Sequence, residues 1–142
     1  MLIDSEEEAE RAIERLIASW DAGEAFFLGA FLKETGEFVA QIYIGLSNRQ
    51  LPEYELGYIV DVDHEGKGFI TEATVAALRF VFEQLGAQRI RLECDDTNLR
   101  SRKVAERCGF VQEGHIRENR RNVDGSISGT LHYGLLRSEF HF

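Results

Sequence analysis

Residues 64–73, with the sequence His-Glu-Gly-Lys-Gly-Phe-Ile-Thr-Glu-Ala, constrain the fold of this chain more than any other stretch. Gly66 and Gly68 have no Cβ, so the backbone there takes unusual dihedral angles and a bulky anion can approach its N–H groups closely. A strand pattern precedes them. A helical spacing of apolar residues follows, at Ala73, Ala76, Ala77, Phe80 and Val81. Unpaired amides and the positive end of a helix dipole therefore point at one place, which predicts a phosphate site.

A Gly-x-Gly loop between a strand and a helix describes equally well a tight turn that binds nothing. The stretch is not a P-loop, because no Gly-Lys-Ser/Thr ends it, and it lacks the third glycine of a dinucleotide fingerprint. The sequence on either side of the loop therefore has to decide between the two interpretations.

Length and charge limit the classes of protein that this chain can be. A length of 142 residues with 44% hydrophobic content predicts one domain, spanning 1–142, with a real core. We find no apolar run of membrane-spanning length and no signal peptide, so we expect a cytoplasmic protein that binds no membrane. The net charge of -9 argues against a DNA-binding surface and favours cationic acceptors such as amines or basic polypeptides.

The two cysteines, Cys94 and Cys108, fall in a predicted strand and a predicted helix, without the short spacing of a metal knuckle. We interpret both as small buried hydrophobes and expect no disulfide. No set of His, Cys and carboxylate residues has ligand spacing, so we predict no metal.

Periodicity and turn residues predict a mixed α/β (α+β) chain with a mostly antiparallel sheet. Strand, helix and strand in succession imply a right-handed crossover, so the strand at 89–94 should lie parallel to the strand at 54–62. The predicted helices are 5–22, which starts at a Ser5 capping box, 70–85 and 98–108, and the predicted strands are 25–32, 38–46, 54–62, 89–94, 110–113 and 129–136, with a polar loop at 117–128.

Three stretches together resemble one family. They are Glu55-Leu56-Gly57-Tyr58-Ile59-Val60, the glycine loop, and residues 98–114, which read Asn-Leu-Arg-Ser-Arg-Lys-Val-Ala-Glu-Arg-Cys-Gly-Phe-Val-Gln-Glu-Gly. Over nearly its whole length the chain resembles the GNAT acyltransferase superfamily, and most closely the branch named for the RimJ and RimL ribosomal-protein acetyltransferases. The resemblance implies flanking helices, a parallel strand pair that splays apart, and acetyl-CoA lying in the slot between those strands.

By that resemblance, the backbone at Val60 and Val62 pairs with the pantetheine amides, and the loop holds the pyrophosphate. The loop residues concerned are Glu65, Gly66, Lys67, Gly68, Phe69, Ile70 and Thr71. Glu65 and Ile70 depart from the family pattern. Glu65 brings a carboxylate beside a phosphate unless its side chain points away, whereas Lys67 restores one positive charge.

The match to an Asn-x-x-Ser pattern gives roles to two residues of the second predicted helix. Asn98 would orient the pantetheine arm, and Ser101 would protonate the leaving thiolate. Helical spacing puts Ser101 on the buried face with Val104, Ala105 and Cys108. Its alternative interpretation is a structural serine that bonds back to the preceding turn.

A free amine is largely protonated at pH 7, so a carboxylate has to take its proton before it attacks a thioester. Glu55, just before the expected splay, is the candidate; otherwise it is an outward residue of a half-exposed strand. Tyr54, Tyr58 and Tyr133 are further proton donors that we rank below Ser101.

The resemblance thus implies an N-acetyltransferase acting by direct attack of a protein N-terminus, possibly ribosomal, or of a small amine. The alternative is a non-catalytic module of the same fold that binds acyl-CoA as a sensor or supports oligomerisation. Members of this branch usually have a further strand and helix before the region that begins here. We therefore expect 25–32 to form an exposed apolar edge strand. Either a second subunit covers this strand in a homo-oligomer such as a dimer, or the sequence is shortened.

Overall fold

The computed structural model describes residues 6–141, so Ser5 of the predicted capping box lies outside the described residues. The secondary structure follows the predicted order closely. The helices are α1 (Glu6–Asp21), α2 (Phe69–Glu83) and α3 (Leu99–Arg107), and the strands are β1 (Ala25–Phe31), β2 (Phe38–Asn48), β3 (Glu53–Val60), β4 (Arg89–Asp95), β5 (Val111–Arg121) and β6 (Ile127–Leu136). Short 3-10 turns occupy Val62–His64 and Arg137–Glu139. Within 6–141 no helix is both long and apolar enough to cross a membrane.

The six strands form one sheet in the order β1-β2-β3-β4-β6-β5. Every neighbouring pair is antiparallel except β3 and β4, which are parallel as predicted. The parallel pairing stops after Glu55 and Arg91. Beyond these residues β3 stays paired to β2, and β4 stays paired to β6. The two central strands therefore part, and a slot opens between them.

The core lies on one face of the sheet, which we call the helix face. It combines strand residues such as Ile44, Leu56 and Ile90 with Leu78 and Phe82 of α2, all at most 1% exposed. Val104 and Ala105 of α3 join the same cluster. The alternate strand residues point to the opposite side, which we call the open face and which has charged and aromatic side chains.

Two predicted features were wrong in part. β3 ends at Val60, so Val62 begins a 3-10 turn instead of ending a strand. β5 continues to Arg121 and β6 begins at Ile127, so most of the predicted loop at 117–128 is strand. The polar residues of this segment do not alternate with apolar ones, so the sequence did not predict a strand. The segment is a strand because it pairs with β6. A bulge between Ile116 and Arg120 absorbs the extra residues.

The apolar stripe of α1 is largely exposed. Ala12 is its one buried residue, whereas Ile13 and Ile17 are 55% and 56% exposed. α1 joins the rest of the chain through Trp20, whose ring lies 4.8 Å from the ring of Phe26. β1 is an edge strand of the sheet, as predicted.

Candidate active site

The glycine loop leaves open space above its backbone. Gly66 and Gly68 have φ angles of 75° and 80°, in the left-handed region that favours glycine. A Cβ built on either residue would meet no atom within 4 Å. Gly68 is the N-cap of α2, and no side chain accepts a hydrogen bond from the first turn of that helix.

The first turn of α2 supplies unpaired donors at this place. Its first backbone hydrogen bond runs from the Glu72 N–H to the Gly68 carbonyl, at 3.1 Å. The amides of Phe69, Ile70 and Thr71 precede that bond, so they have no acceptor within the helix. The hydroxyl of Thr71 is buried and has no hydrogen-bond partner among the described residues. Amides, hydroxyl and dipole together fit a diphosphate.

Glu65 does not oppose this role, because its carboxylate forms an ion pair with Arg100 at the start of α3. The guanidinium offsets the negative charge that made Glu65 a departure from the family pattern. The contact also ties the loop to the helix on the other side of the slot. Lys67 is exposed beside the two glycines and adds one positive charge.

The backbone of β3 faces the slot with unused groups. The Asp61 N–H donates to the Val39 carbonyl at 2.7 Å, which makes these two a hydrogen-bonded pair of the antiparallel ladder. Because such pairs alternate, the peptide groups of Tyr58 and Val60 point away from β2 and toward the slot. An extended chain of amides can pair with them as an added strand. Val62 lies in the turn that follows.

Tyr58 and Ser101 meet across the slot. The Ser101 hydroxyl donates to the Tyr58 oxygen at 3.1 Å, and the Tyr58 hydroxyl donates to the Ser101 carbonyl at 3.0 Å. Burial raises the pKa of Tyr58 to about 12. The phenol therefore stays protonated at neutral pH, so two hydroxyl groups, and not that of Ser101 alone, lie together at the slot.

Asn98 is the N-cap of α3. Its side-chain oxygen accepts the Ser101 N–H at 3.1 Å. The cap uses the oxygen only, and the amide nitrogen donates to no other described residue. That nitrogen is the group which remains for the predicted contact with a pantetheine arm.

Glu55 lies on the open face at the last paired position before the slot, and Arg91 of β4 holds its carboxylate at 2.9 Å. The structure thus brings Ser101, Asn98, the loop and β3 around one slot. Glu55 is at its closed end, on the other face from Ser101. The sequence placed Tyr58 among the further proton donors below Ser101, and the structure brings the two into contact, but nothing in the sequence paired Arg100 with Glu65.

Neither cysteine is suited to act as a nucleophile, because burial raises the pKa of Cys94 and raises that of Cys108 to about 11. Within residues 6–141 no three His, Cys, Asp or Glu side chains gather as a metal site would require.

Comparisons with known proteins identify the family. Residues 3–111 match the family described as acetyltransferase (GNAT) domain. The protein YdaF of Bacillus subtilis (strain 168), whose name assigns it to the ribosomal N-acetyltransferases, is 36% identical over 86 residues, which are 61% of this chain and 46% of YdaF. Spermidine N(1)-acetyltransferase of Vibrio cholerae is 36% identical over 64 residues, 45% of this chain and 37% of that protein.

Among solved structures, Mycobacterium smegmatis RimJ in complex with CoA-disulfide superposes with a TM-score of 0.81 and is 27% identical, covering 93% of this chain and 62% of that one. The predicted resemblance and fold are confirmed. The chain spans about half, or less, of the length of these two curated relatives, 46% and 37%.

Proposed function

The chain belongs to the GNAT acetyltransferase family, and from that premise we propose that it transfers the acetyl group of acetyl-CoA to an amine. The observation that carries the proposal is the placement of an uncapped helix start, an unpaired strand edge and two hydroxyl groups around one slot. Each is the partner that one part of the cofactor requires: the diphosphate, the pantetheine amides and the departing sulfur.

Residues of the loop and of α3 would hold the cofactor. The backbone from Glu65 to Thr71, through Gly66, Lys67, Gly68, Phe69 and Ile70, would bind the diphosphate. Val60 and Val62 would pair with the pantetheine arm, which the amide nitrogen of Asn98 would orient. The unpartnered Thr71 hydroxyl and the open space above the two glycines support this assignment.

When bound, acetyl-CoA supplies a thioester whose carbonyl carbon the amine attacks. Glu55 takes a proton from the ammonium form of the amine, because only the neutral amine has a free electron pair. As the carbon–sulfur bond breaks, the Ser101 hydroxyl gives its proton to the sulfur, the new amide nitrogen releases its second proton to solvent, and the hydroxyl pair regains one proton from solvent. Tyr58, protonated and in contact with Ser101, replaces that proton or donates in its stead.

For the acceptor, we propose a protein N-terminus, such as that of a ribosomal protein, or a small amine. The names of the relatives support both classes, since one is assigned to ribosomal acetylation and another to spermidine. We also propose a cytoplasmic location and a homo-oligomer, such as a dimer, in which a second subunit covers β1. The position of β1 at the sheet edge supports the oligomer. Size-exclusion chromatography tests it, and a monomer at all concentrations contradicts it.

A thiol-release assay tests the proposed activity. The chain is mixed with acetyl-CoA and a panel of amines that includes spermidine, n-hexylamine and peptides with free N-termini, and free CoA is detected with a thiol reagent. Release that depends on one class of amine supports the transferase. If calorimetry shows that acetyl-CoA binds but no amine causes CoA release, the transferase is contradicted and the non-catalytic acyl-CoA-binding module is supported.

A further inference from the structure

A row of side chains crosses the open face at the level where the slot begins. On one side Phe27 of β1 pairs with Tyr43 of β2, and Tyr43 pairs with Gly57 of β3. On the other side Glu93 of β4 pairs with His132 of β6. Continuing the parallel register past Glu55 and Arg91 puts Gly57 opposite Glu93, across the gap where the strands have parted.

The row has an apolar side. The rings of Phe27 and Tyr43 lie 5.0 Å apart, and Phe27 is 40% exposed. Ile59, two residues after Gly57 on the same face of β3, is 70% exposed. Gly57 itself has no side chain, and a Cβ built there would touch only Tyr43, at 4.0 Å. The glycine therefore leaves a recess between an aromatic wall and the slot.

The other side of the row is anionic, and Glu93 differs from the other glutamates near it. Glu53, Glu55 and Glu113 each have an arginine nitrogen within 2.9 Å. The nearest described basic side-chain atoms to Glu93 are Nδ1 of His132 at 3.5 Å and a guanidinium nitrogen of Arg91 at 3.9 Å. Its carboxylate is therefore less engaged by cations than those of its neighbours.

His132 steadies that carboxylate without closing the site. Its Nδ1 faces Glu93, while its Nε2 is buried and has no partner among the described residues. The imidazole is thus fixed on the side of Glu93 that faces away from the slot. An approaching cation would meet the carboxylate from the side of Gly57.

From this arrangement we propose that the open face holds the acceptor, and that Glu93, backed by His132, binds the ammonium group of an aliphatic primary amine whose stem lies over Gly57 against Tyr43, Phe27 and Ile59. This inference rests on the proposed function. The amine then enters the slot from the open face, while the Tyr58 and Ser101 hydroxyl groups lie on the helix face, where they would protonate the sulfur. Glu55, two residues before Gly57 on the same face, lies about 7 Å along the strand from Gly57.

The test is an amide-resolved NMR titration of the whole chain, saturated with CoA, with n-hexylamine as the probe. We expect shifts at Gly57, Glu93 and His132. We expect Glu93→Gln to weaken amine binding at least tenfold, because the charged hydrogen bond is lost. Gly57→Val should do the same by filling the recess, and a β-branched residue suits the strand. The matched control is Glu113→Gln, a carboxylate on the same face that Arg89 already holds, and it should bind n-hexylamine as the unaltered chain does.

Shifts confined to other surfaces, no detectable binding, or equal affinity in the unaltered chain, Glu93→Gln and Gly57→Val would each overturn the inference. Thermal unfolding of every variant separates loss of binding from loss of fold. The result is also distinct from the test of the activity, because the titration contains no thioester. If the amine binds at the row but no CoA is released, the proposed acceptor site is supported and the proposed transferase activity is contradicted. If CoA release is unaffected by Glu93→Gln and Gly57→Val, the activity is supported and the acceptor site is contradicted.

Discussion

The two helices that flank the slot begin in opposite ways. α3 is closed by its own side chain, since Asn98 accepts the Ser101 N–H. The turn before it is closed too, because the Asp95 carboxylate accepts the Thr97 N–H at 2.8 Å. α2 begins at Gly68, which has no side chain to offer, and a Cβ built there would meet no atom within 4 Å.

This difference separates a helix start that stabilises the fold from one that we propose is kept for a ligand. Most helices satisfy their first amides with a Ser, Thr, Asp or Asn side chain, because an unpaired donor costs free energy. α2 forgoes that stabilisation at the one place where an anion would supply the same hydrogen bonds. Changes at the two helix starts should therefore have different consequences, for cofactor binding at α2 and for stability at α3.

The largest effect is expected from Gly68→Asp. The new carboxylate would cap α2 in place of the diphosphate and repel it, so we expect CoA affinity to fall at least about a hundredfold, or about 2.7 kcal/mol. Calorimetric titration with CoA measures this. Gly68→Asn is the matched control, since it adds the same volume without charge and should bind more tightly than Gly68→Asp. Equal affinities for CoA in both variants and the unaltered chain would refute the role of the loop.

Next in size is the loss of turnover in Tyr58→Phe and Ser101→Ala. Each variant removes one of the two hydroxyl groups at the slot, and we expect kcat to fall about tenfold to a hundredfold with little change in CoA affinity. Steady-state kinetics with the best amine of the panel measures both values. Tyr54→Phe is the control, because Tyr54 is also a buried tyrosine of β3 but lies before the slot. A similar loss in Tyr54→Phe would mean that packing, and not proton transfer, is affected.

A smaller effect is expected at Asn98, where two variants distinguish the role of the side-chain oxygen from that of the amide nitrogen. Asn98→Ala removes the cap of α3 and should lower the free energy of unfolding by about 1 kcal/mol. Asn98→Asp keeps the capping oxygen and loses the amide nitrogen, so stability should hold while acetyl-CoA affinity falls. Urea denaturation and calorimetry together distinguish these outcomes. If Asn98→Asp leaves affinity unchanged, the cap is the only role of this residue.

The smallest effect is a dependence of stability on acid at the α3 side. Hydrogen bonds from Ser128 and from Thr97 lower the pKa of Asp95 to about 2, below its usual value. A carboxyl group with a lowered pKa stabilises the fold above the unfolded pKa, near pH 4, and loses that contribution as pH falls toward 2. Urea denaturation should thus show falling stability over this range, with a shallower fall in Asp95→Asn. Parallel profiles would show that Asp95 makes no such contribution.

Much of this account could be predicted from the sequence, because it depends on local rules. Glycines before a helical apolar spacing gave the loop and α2, and the crossover rule gave the parallel pair of β3 and β4. Asn98 stands three residues before Ser101, which is the spacing of an N-cap. The burial of Ser101 follows from the same helical periodicity.

The remainder depends on contacts between distant parts of the chain. Glu65 meets Arg100, Tyr58 meets Ser101, and Glu93 meets His132 only because the sheet brings their strands and helices together. The length of β5 could not be predicted from the sequence either, because pairing with β6 determines it and the residues of β5 alone do not. The exposure of the apolar stripe of α1 could not be predicted for a related reason, since periodicity shows that a face is apolar but not what covers it.

The most direct test of the central claim is a crystal structure of this chain with CoA bound. The account predicts diphosphate oxygens within hydrogen-bond distance of the amides between Gly66 and Thr71, and the sulfur beside the Tyr58 and Ser101 hydroxyl groups. A cofactor bound elsewhere, or at the slot with those amides unengaged, would contradict it.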